Sequence, residues 1–297
     1  MKNWQLSNIP DMTGKIALVT GGNVGLGFKS ALELARNGAE IVIACRRPDS
    51  AEQAIERLRQ AVPSAALSPL PLDLSDLASV RACVEAFAAR HDRLDILLNN
   101  AGVVNLEALQ RTPDGHEMHM AVNHYGHFAL TVGLFPVIAG TPHARVVTVS
   151  SLAARSGEIR FDDMAWRSRP YDRLKAYGES KLANLLFTRA LQSRFEVAGS
   201  SALSVAAHPG LTGTERQQSI GVGGKLSKWL ASPVAVGVAP QLRAAADPSV
   251  KGRDFFGPKF NLRGPAVNIA MKGEATNEAL AEELWQHMAD VTGVALD

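Results

Sequence analysis

Short runs of aliphatic and β-branched residues alternate along this chain with longer segments whose apolar positions recur every three to four residues. KIALVT predicts a first strand, and GLGFKSALELARNG a helix closed by Gly38. EIVIAC is a second strand and SAEQAIERLRQAV a second helix. LSPLPLDL reads as a third strand, although two prolines count against a place inside a sheet. SVRACVEAFAARH is helical and LDILLNNAG is a fourth strand. One long helix is expected over GHEMHMAVNHYGHFALTVGLF, then a strand at RVVTVSS that ends in two hydroxyls. A helix from about Tyr171 to Phe195, a sixth strand at SALSVAAHPG, a seventh at DFFGPKF and a last helix at NEALAEELWQHMADV complete the pattern.

Strand–helix alternation with continuously apolar strands predicts a parallel sheet buried on both faces by helices. No linker divides residues 1–297, so a single domain is expected. The Gly-, Ser- and Thr-rich stretch 211–233 reads as a mobile substrate lid. With 46% hydrophobic residues and a net charge of +2, the chain suits one well-filled core and carries no field that would draw nucleic acid. Its two cysteines, Cys45 and Cys83, have no partner at metal or redox spacing, which suggests a reduced, cytoplasmic setting. The most apolar stretch, FALTVGLFPVIAG, is too short to span a bilayer and contains Pro136.

Candidate chemistry begins at TGGNVGLG, Thr20 to Gly27, between the first strand and the first helix. Glycines here permit a tight turn and a close backbone approach to a diphosphate, and the helix N-terminus adds N–H groups and partial positive charge. A dinucleotide is the expected ligand of Gly21, Asn23, Val24, Gly25, Leu26 and Gly27.

The spacing Thr-Gly-x-x-x-Gly-x-Gly resembles the short-chain dehydrogenase/reductase family. Further landmarks of that family follow in order: Asp73-Leu74 after the third strand, NNAG (Asn99 to Gly102) after the fourth, and Asn123 in the long helix. Ser150-Ser151 then ends the fifth strand, Tyr177 and Lys181 share the fifth helix, and HPGLTGT ends the sixth strand. The resemblance implies a Rossmann-type doubly wound fold of about seven strands. It implies cofactor contacts at Asp73, Leu74, Asn100, Ala101, Gly102, Pro209, Gly210, Thr212 and Thr214. It further implies a catalytic set of Asn123, Ser151, Tyr177 and Lys181, with Ser150 the other hydroxyl at that strand end. ACR, SKLANLLF and the long insertion before the tyrosine resemble the retinol-dehydrogenase-like and protochlorophyllide-reductase-like branch.

Tyr-x-x-x-Lys occurs twice, as Tyr171/Lys175 and Tyr177/Lys181. Two tyrosines six positions apart on one helix differ by roughly 240° and cannot face one pocket. Tyr177 and Lys181 share a face and are followed by the apolar LANLLF. The resemblance adds Ser180, whose place in the first pair is taken by Leu174. Tyr177/Lys181 is therefore the expected chemical pair, and Tyr171 a wall of the entrance or plain surface. A nearby ammonium would lower the Tyr177 pKa by about two units, and Asn123 would hold a relay water.

At the second strand end, Cys45 stands where an acid would grip the ribose 2′-OH of NAD, and Arg46 and Arg47 follow. Arginine suits a 2′-phosphate, so NADP(H) is expected in preference to NAD(H), with Asp49 too late to serve. The reading is an oxidoreductase that interconverts an alcohol and its carbonyl. Phe161, Met164, Trp166, Leu226, Trp229 and Leu230 suggest a lipophilic small-molecule substrate. A nicotinamide-sensing regulator and a nucleotide-sugar epimerase or dehydratase are the competing classes. The four histidines His116, His119, His124 and His127 do not make an evident metal site, so no metal is expected. Similar enzymes often form homodimers through the fourth and fifth helices.

Overall fold

The run at residues 16–20 becomes β1 (Ile16–Thr20), buried along its whole length as a central parallel strand must be. It pairs on one side with β2 (Glu40–Cys45) and on the other with β4 (Ile96–Asn99). β3 (Leu67–Pro71) lies beyond β2 at the sheet edge, where Pro69 and Pro71 remove no ladder bond that a central strand would need. β5 (Arg145–Val149), β6 (Leu203–Ala207) and β7 (Phe255–Pro258) extend the sheet from β4. The computed structural model describes residues 4–210 and 237–296. The predicted lid at 211–233, with Leu226, Trp229 and Leu230, lies outside them.

The sheet has eight strands rather than seven, because β8 (Ala266–Asn268) pairs antiparallel with β7. Three residues are too few to show a period, so only pairing reveals this strand. The strand order reverses between β1 and β4, which opens a crevice at the carboxyl ends of the strands.

The helices follow in chain order: α1 (Gly25–Arg36), α2 (Pro48–Ala61) and α3 (Leu77–Ala88). The expected long helix is broken into α4 (Met118–Met120), a π turn at Ala121–Tyr125, α5 (Gly126–Gly133) and α6 (Phe135–Gly140). In the π turn the Gly126 N–H reaches back to the Ala121 carbonyl, and the extra residue turns Asn123 out of the regular ladder. α7 (Arg173–Val197), α8 (Ala239–Ala246) and α9 (Glu278–Thr292) complete the described helices.

Alternate strand residues feed two cores. Leu18, Val42, Leu97 and Val146 join the side chains of α3, α5, α7 and α9. Val19, Ile43, Leu98 and Val147 join those of α1, α2 and α8. This is the period-two consequence of the pleat.

α7 begins at Arg173, capped by the Asp172 carboxylate on the Leu174 and Lys175 N–H groups, so Tyr171 precedes the helix. The insertion before it is pinned from within. Arg169 forms a two-bonded pair with Glu179 at 2.8 and 2.9 Å and lies 3.6 Å over the Trp166 ring, while the Trp166 indole N–H donates to Glu179 at 3.1 Å. Met164 and Trp166 are buried in this support, and Phe161 packs on His287 at 5.4 Å. Their apolar surface serves the insertion's own packing, which withdraws the support they lent to a lipophilic substrate.

Candidate active site

The glycine turn has the geometry its composition requires. Gly21 and Gly25 sit at φ of +63° and +58°, and a Cβ on Gly27 would overlap the Gly21 carbonyl and crowd the Asn100 amide. Asn23 and Leu26 lie in the same turn and first helical residues. Val24 caps α1 without a side-chain hydrogen bond, and no acidic residue occupies the first turn. An uncapped, exposed helix N-terminus beside glycine backbone fits a diphosphate.

Behind the turn, the Thr20 hydroxyl oxygen accepts the N–H groups of Asn100 and Ala101, each at 2.9 Å, and the Asn100 amide donates to the Thr20 carbonyl at 2.8 Å. His127 Nε2 lies 2.9 Å from the same hydroxyl, and its Nδ1 lies 3.1 Å from the Asn123 carbonyl. The Nδ1–H donates to that carbonyl, so Nε2 accepts the Thr20 proton. Burial holds His127 neutral, at about 3. The i, i+4 spacing of Asn123 and His127 was the available sequence signal for this bridge.

At the β2 end, Cys45 is buried and its thiol is pushed up by burial. The Arg46 side chain is largely exposed, with Nε 4.0 Å from Asp73 Oδ2. Arg47 occupies the N-cap position of α2, and Asp49 lies inside that helix's first turn. Asp73 Oδ1 accepts the backbone N–H and hydroxyl of Ser75 at 3.0 and 2.6 Å, while Leu74 is buried with its carbonyl against Gly126.

The carboxyl end of β5 and the middle of α7 bring the remaining groups together. Ser150 and Ser151 have separate partners: the Ser150 hydroxyl donates to the Lys181 carbonyl at 2.7 Å, whereas Ser151 hydrogen-bonds the Tyr177 hydroxyl. Lys181 is buried, with Nζ donating to the Val149 carbonyl at 2.9 Å and lying 5.7 Å from the centre of the Tyr177 ring. The Asn123 amide is fully engaged. Its Oδ1 accepts from Val103 N at 2.7 Å, and its Nδ2 donates to the Val103 carbonyl at 3.1 Å and Ser180 Oγ at 2.9 Å. Gly102 leaves room there, because a Cβ would come within 2.9 Å of Asn123 Oδ1.

Tyr171 and Lys175 do not form a pair: the Tyr171 hydroxyl lies 3.1 Å from His119 Nδ1, and Lys175 is exposed. On the far side, His208 Nδ1 accepts the Gly210 N–H at 3.1 Å across Pro209, and burial lowers this histidine to about 4. Thr212 and Thr214 lie outside the described residues.

One electrostatic expectation reverses. Burial pushes the Tyr177 phenol up, opposed by the Ser151 hydrogen bond, and burial lowers Lys181 to about 8. Both ionised forms lose water in the same low-dielectric wall, and neither gains enough from the other to offset it.

A short chain dehydrogenase family model matches residues 15–223. Human retinol dehydrogenase 13 is 36% identical over 293 residues, covering 95% of this chain and 85% of that protein. Human retinol dehydrogenase 11 is 34% identical over 294 residues, covering 96% and 88%. A crystal structure of an uncharacterized protein from Mycobacterium Paratuberculosis superposes with a TM-score of 0.84 at 34% identity, covering 99% of each chain. The NADP active-site complex of Pseudomonas aeruginosa RhlG shares the fold, with a TM-score of 0.67 at 24% identity over 83% of this chain and 95% of that one. A reversed parallel sheet with a glycine turn at its crevice defines a dinucleotide-binding fold. This chain belongs to the short-chain dehydrogenase/reductase family, in its retinol-dehydrogenase-like branch, and uses NAD(P) to interconvert alcohol and carbonyl groups. None of its described helices is long and apolar enough to cross a membrane.

Proposed function

We propose that this enzyme prefers NADP(H) and interconverts a lipophilic alcohol and its ketone or aldehyde, with Tyr177 as general acid and base. The observation that carries the reading is the meeting of Ser151, Tyr177 and Lys181 at the carboxyl end of β5. The bound nicotinamide would supply or accept the hydride. In reduction the Tyr177 O–H donates its proton to the carbonyl oxygen, and the Ser151 hydroxyl stabilises the negative charge that develops there. A phenol kept protonated by burial is the form that reduction consumes.

Lys181 would hold the nicotinamide ribose and restore the proton. Asn123, with its amide already bonded to Val103 and Ser180, braces the π turn, whose backbone would hold any relay water. Gly21, Gly25 and Gly27 would admit the diphosphate, and Asp73, Leu74, Asn100, Ala101 and Gly102 would line the adenine and ribose path. Pro209 and Gly210 would face the nicotinamide.

Arg46, largely exposed just after β2 and preceded by Cys45 rather than an acid, favours a 2′-phosphate, with NAD(H) as the second cofactor. The lipophilic substrate class rests on the relatives' names. A cytoplasmic setting is supported by two buried, free thiols.

The test is loss of NADPH absorbance with a panel of ketones and aldehydes. Tyr177→Phe should reduce kcat at least about 100-fold while NADPH still binds. Retained turnover in Tyr177→Phe would reject the assignment.

A further inference from the structure

Beside Tyr177 lies a buried polar group that the proposed chemistry does not use. Glu117 is 1% exposed and His119 is 0% exposed. The carboxylate collects three donors, two from its own turn and one from the insertion before α7. The Met120 N–H reaches Oε2 at 2.8 Å, His119 Nδ1 lies 2.9 Å from Oε1, and the Tyr171 hydroxyl lies 3.3 Å from Oε1. Tyr171 also stands 3.1 Å from His119 Nδ1. With Nδ1–H directed at the carboxylate and at the Tyr171 oxygen, every atom of this cluster is satisfied except His119 Nε2, which has no partner among the described residues.

The imidazole meets the Tyr177 ring at a centroid distance of 5.9 Å and an interplanar angle of 65°. Tyr171 is itself fixed edge-on against Trp166 at 5.5 Å, and Trp166 is tied to Glu179. A continuous path therefore runs from the insertion, through Tyr171 and the Glu117–His119 pair, to the phenol.

Packing alone does not call for this chemistry. A phenylalanine at 119 would press on Tyr177 equally well, and Glu117 would still cap the Met120 N–H. What the histidine adds is a nitrogen that Glu117 and Tyr171 can hold, so its ring cannot rotate. Proton transfer is sensitive to placement at this scale, since a shift of about 1 Å can cost about 100-fold in rate.

We propose that His119 is a positioning residue, whose ring is locked by Glu117 and Tyr171 and in turn holds the Tyr177 phenol in line for proton transfer. This inference rests on the reading of Tyr177 as acid and base. Steady-state kinetics on the full chain, with NADPH and a carbonyl that the parent reduces, test both.

His119→Phe keeps the ring contact and loses the tether. It should lower kcat roughly 10- to 100-fold with the KM for NADPH close to the parent's, and it should also lower the melting temperature, because the buried Glu117 carboxylate loses one of its donors. Glu117→Leu should do the same, and Glu117→Gln, which keeps an acceptor, should restore most of the loss. Tyr171→Phe removes a single hydroxyl from a half-buried ring and should give a smaller fall in kcat; it decides the matter if His119→Phe does not fold. Parent-like kcat in a folded His119→Phe, or in Tyr171→Phe where His119→Phe is unfolded, overturns the proposal. So does a fall confined to melting temperature. If Tyr177→Phe retains turnover, the reading of the site fails; if it loses turnover while His119→Phe keeps it, the positioning role alone fails.

Discussion

The Thr20 hydroxyl and the His127 ring lie 2.9 Å apart and join the end of β1 to the π turn that carries Asn123. That one hydroxyl also accepts two backbone N–H groups from the strand-end loop after β4. Thr20→Val keeps the shape and takes the partner from the Ala101 N–H and from His127 Nε2, while the Asn100 N–H keeps the Leu98 carbonyl at 2.9 Å, at a cost of roughly 1–3 kcal/mol. Thr20→Ser should retain most of the stability. Urea midpoints for the two variants check this, and parent-like stability in Thr20→Val would show that the hydroxyl is dispensable.

Lys181 sets a pH dependence. Its folded value, about 8, lies below the ordinary 10.5, so the unfolded chain holds that proton more tightly. The penalty is complete below about pH 8, shrinks as pH rises towards about 10.5, and is absent above it. This group alone therefore makes stability increase with pH across that window. Lys181→Met should be inactive yet more stable than the parent near neutral pH, by up to about 3 kcal/mol, and the gap should close at high pH. Denaturant curves at several pH values would refute this if the difference stayed constant.

Arg46 should discriminate between cofactors. Its exposed guanidinium meets Asp73 at 4.0 Å and would pair far better with a 2′-phosphate. Arg46→Ala is expected to raise the KM for NADPH by roughly 10- to 100-fold and leave that for NADH within about twofold. Equal effects on the two cofactors would assign Arg46 to the solvated surface.

The C-terminal helix α9 covers the face formed by α5 and α7. Trp285 of α9 packs on Phe128 of α5 at 4.9 Å and lies nearly parallel to Phe187 of α7 at 5.9 Å. Arg194 on α7 reaches Glu282 at 2.6 and 2.8 Å and lies 4.2 Å over the indole. Dimerisation through this α5–α7 face would require α9 to leave. Trp285→Ala should cost about 3–5 kcal/mol and promote self-association by uncovering the two phenylalanines. Sedimentation velocity reads the outcome, and a parent dimer cross-linked through α5 and α7 would contradict it.

Much of this architecture was legible because it is written locally. Glycines at 21, 25 and 27 announced a turn whose conformation excludes side chains, and the aliphatic runs announced strands buried on both faces. The six-residue offset supposed that one helix carries both tyrosines; α7 begins only at Arg173, so Tyr171 is set apart by the helix start and not by its angle around the axis. The three-residue β8 and the π turn were not legible. A strand that short exists only through its partner, and a π turn differs from an α-helix by one inserted residue with no mark in the hydrophobic period.

The sequence alone therefore determined the fold class, the glycine cradle and which tyrosine shares a helix face with a lysine, because these follow from residues near one another in the chain. Tertiary structure decided the partners. Thr20 finds His127 across 107 positions, and Tyr171 finds Glu117 across 54. It also decided that burial raises the phenol and lowers the ammonium, because desolvation depends on what folds over a group rather than on what precedes it.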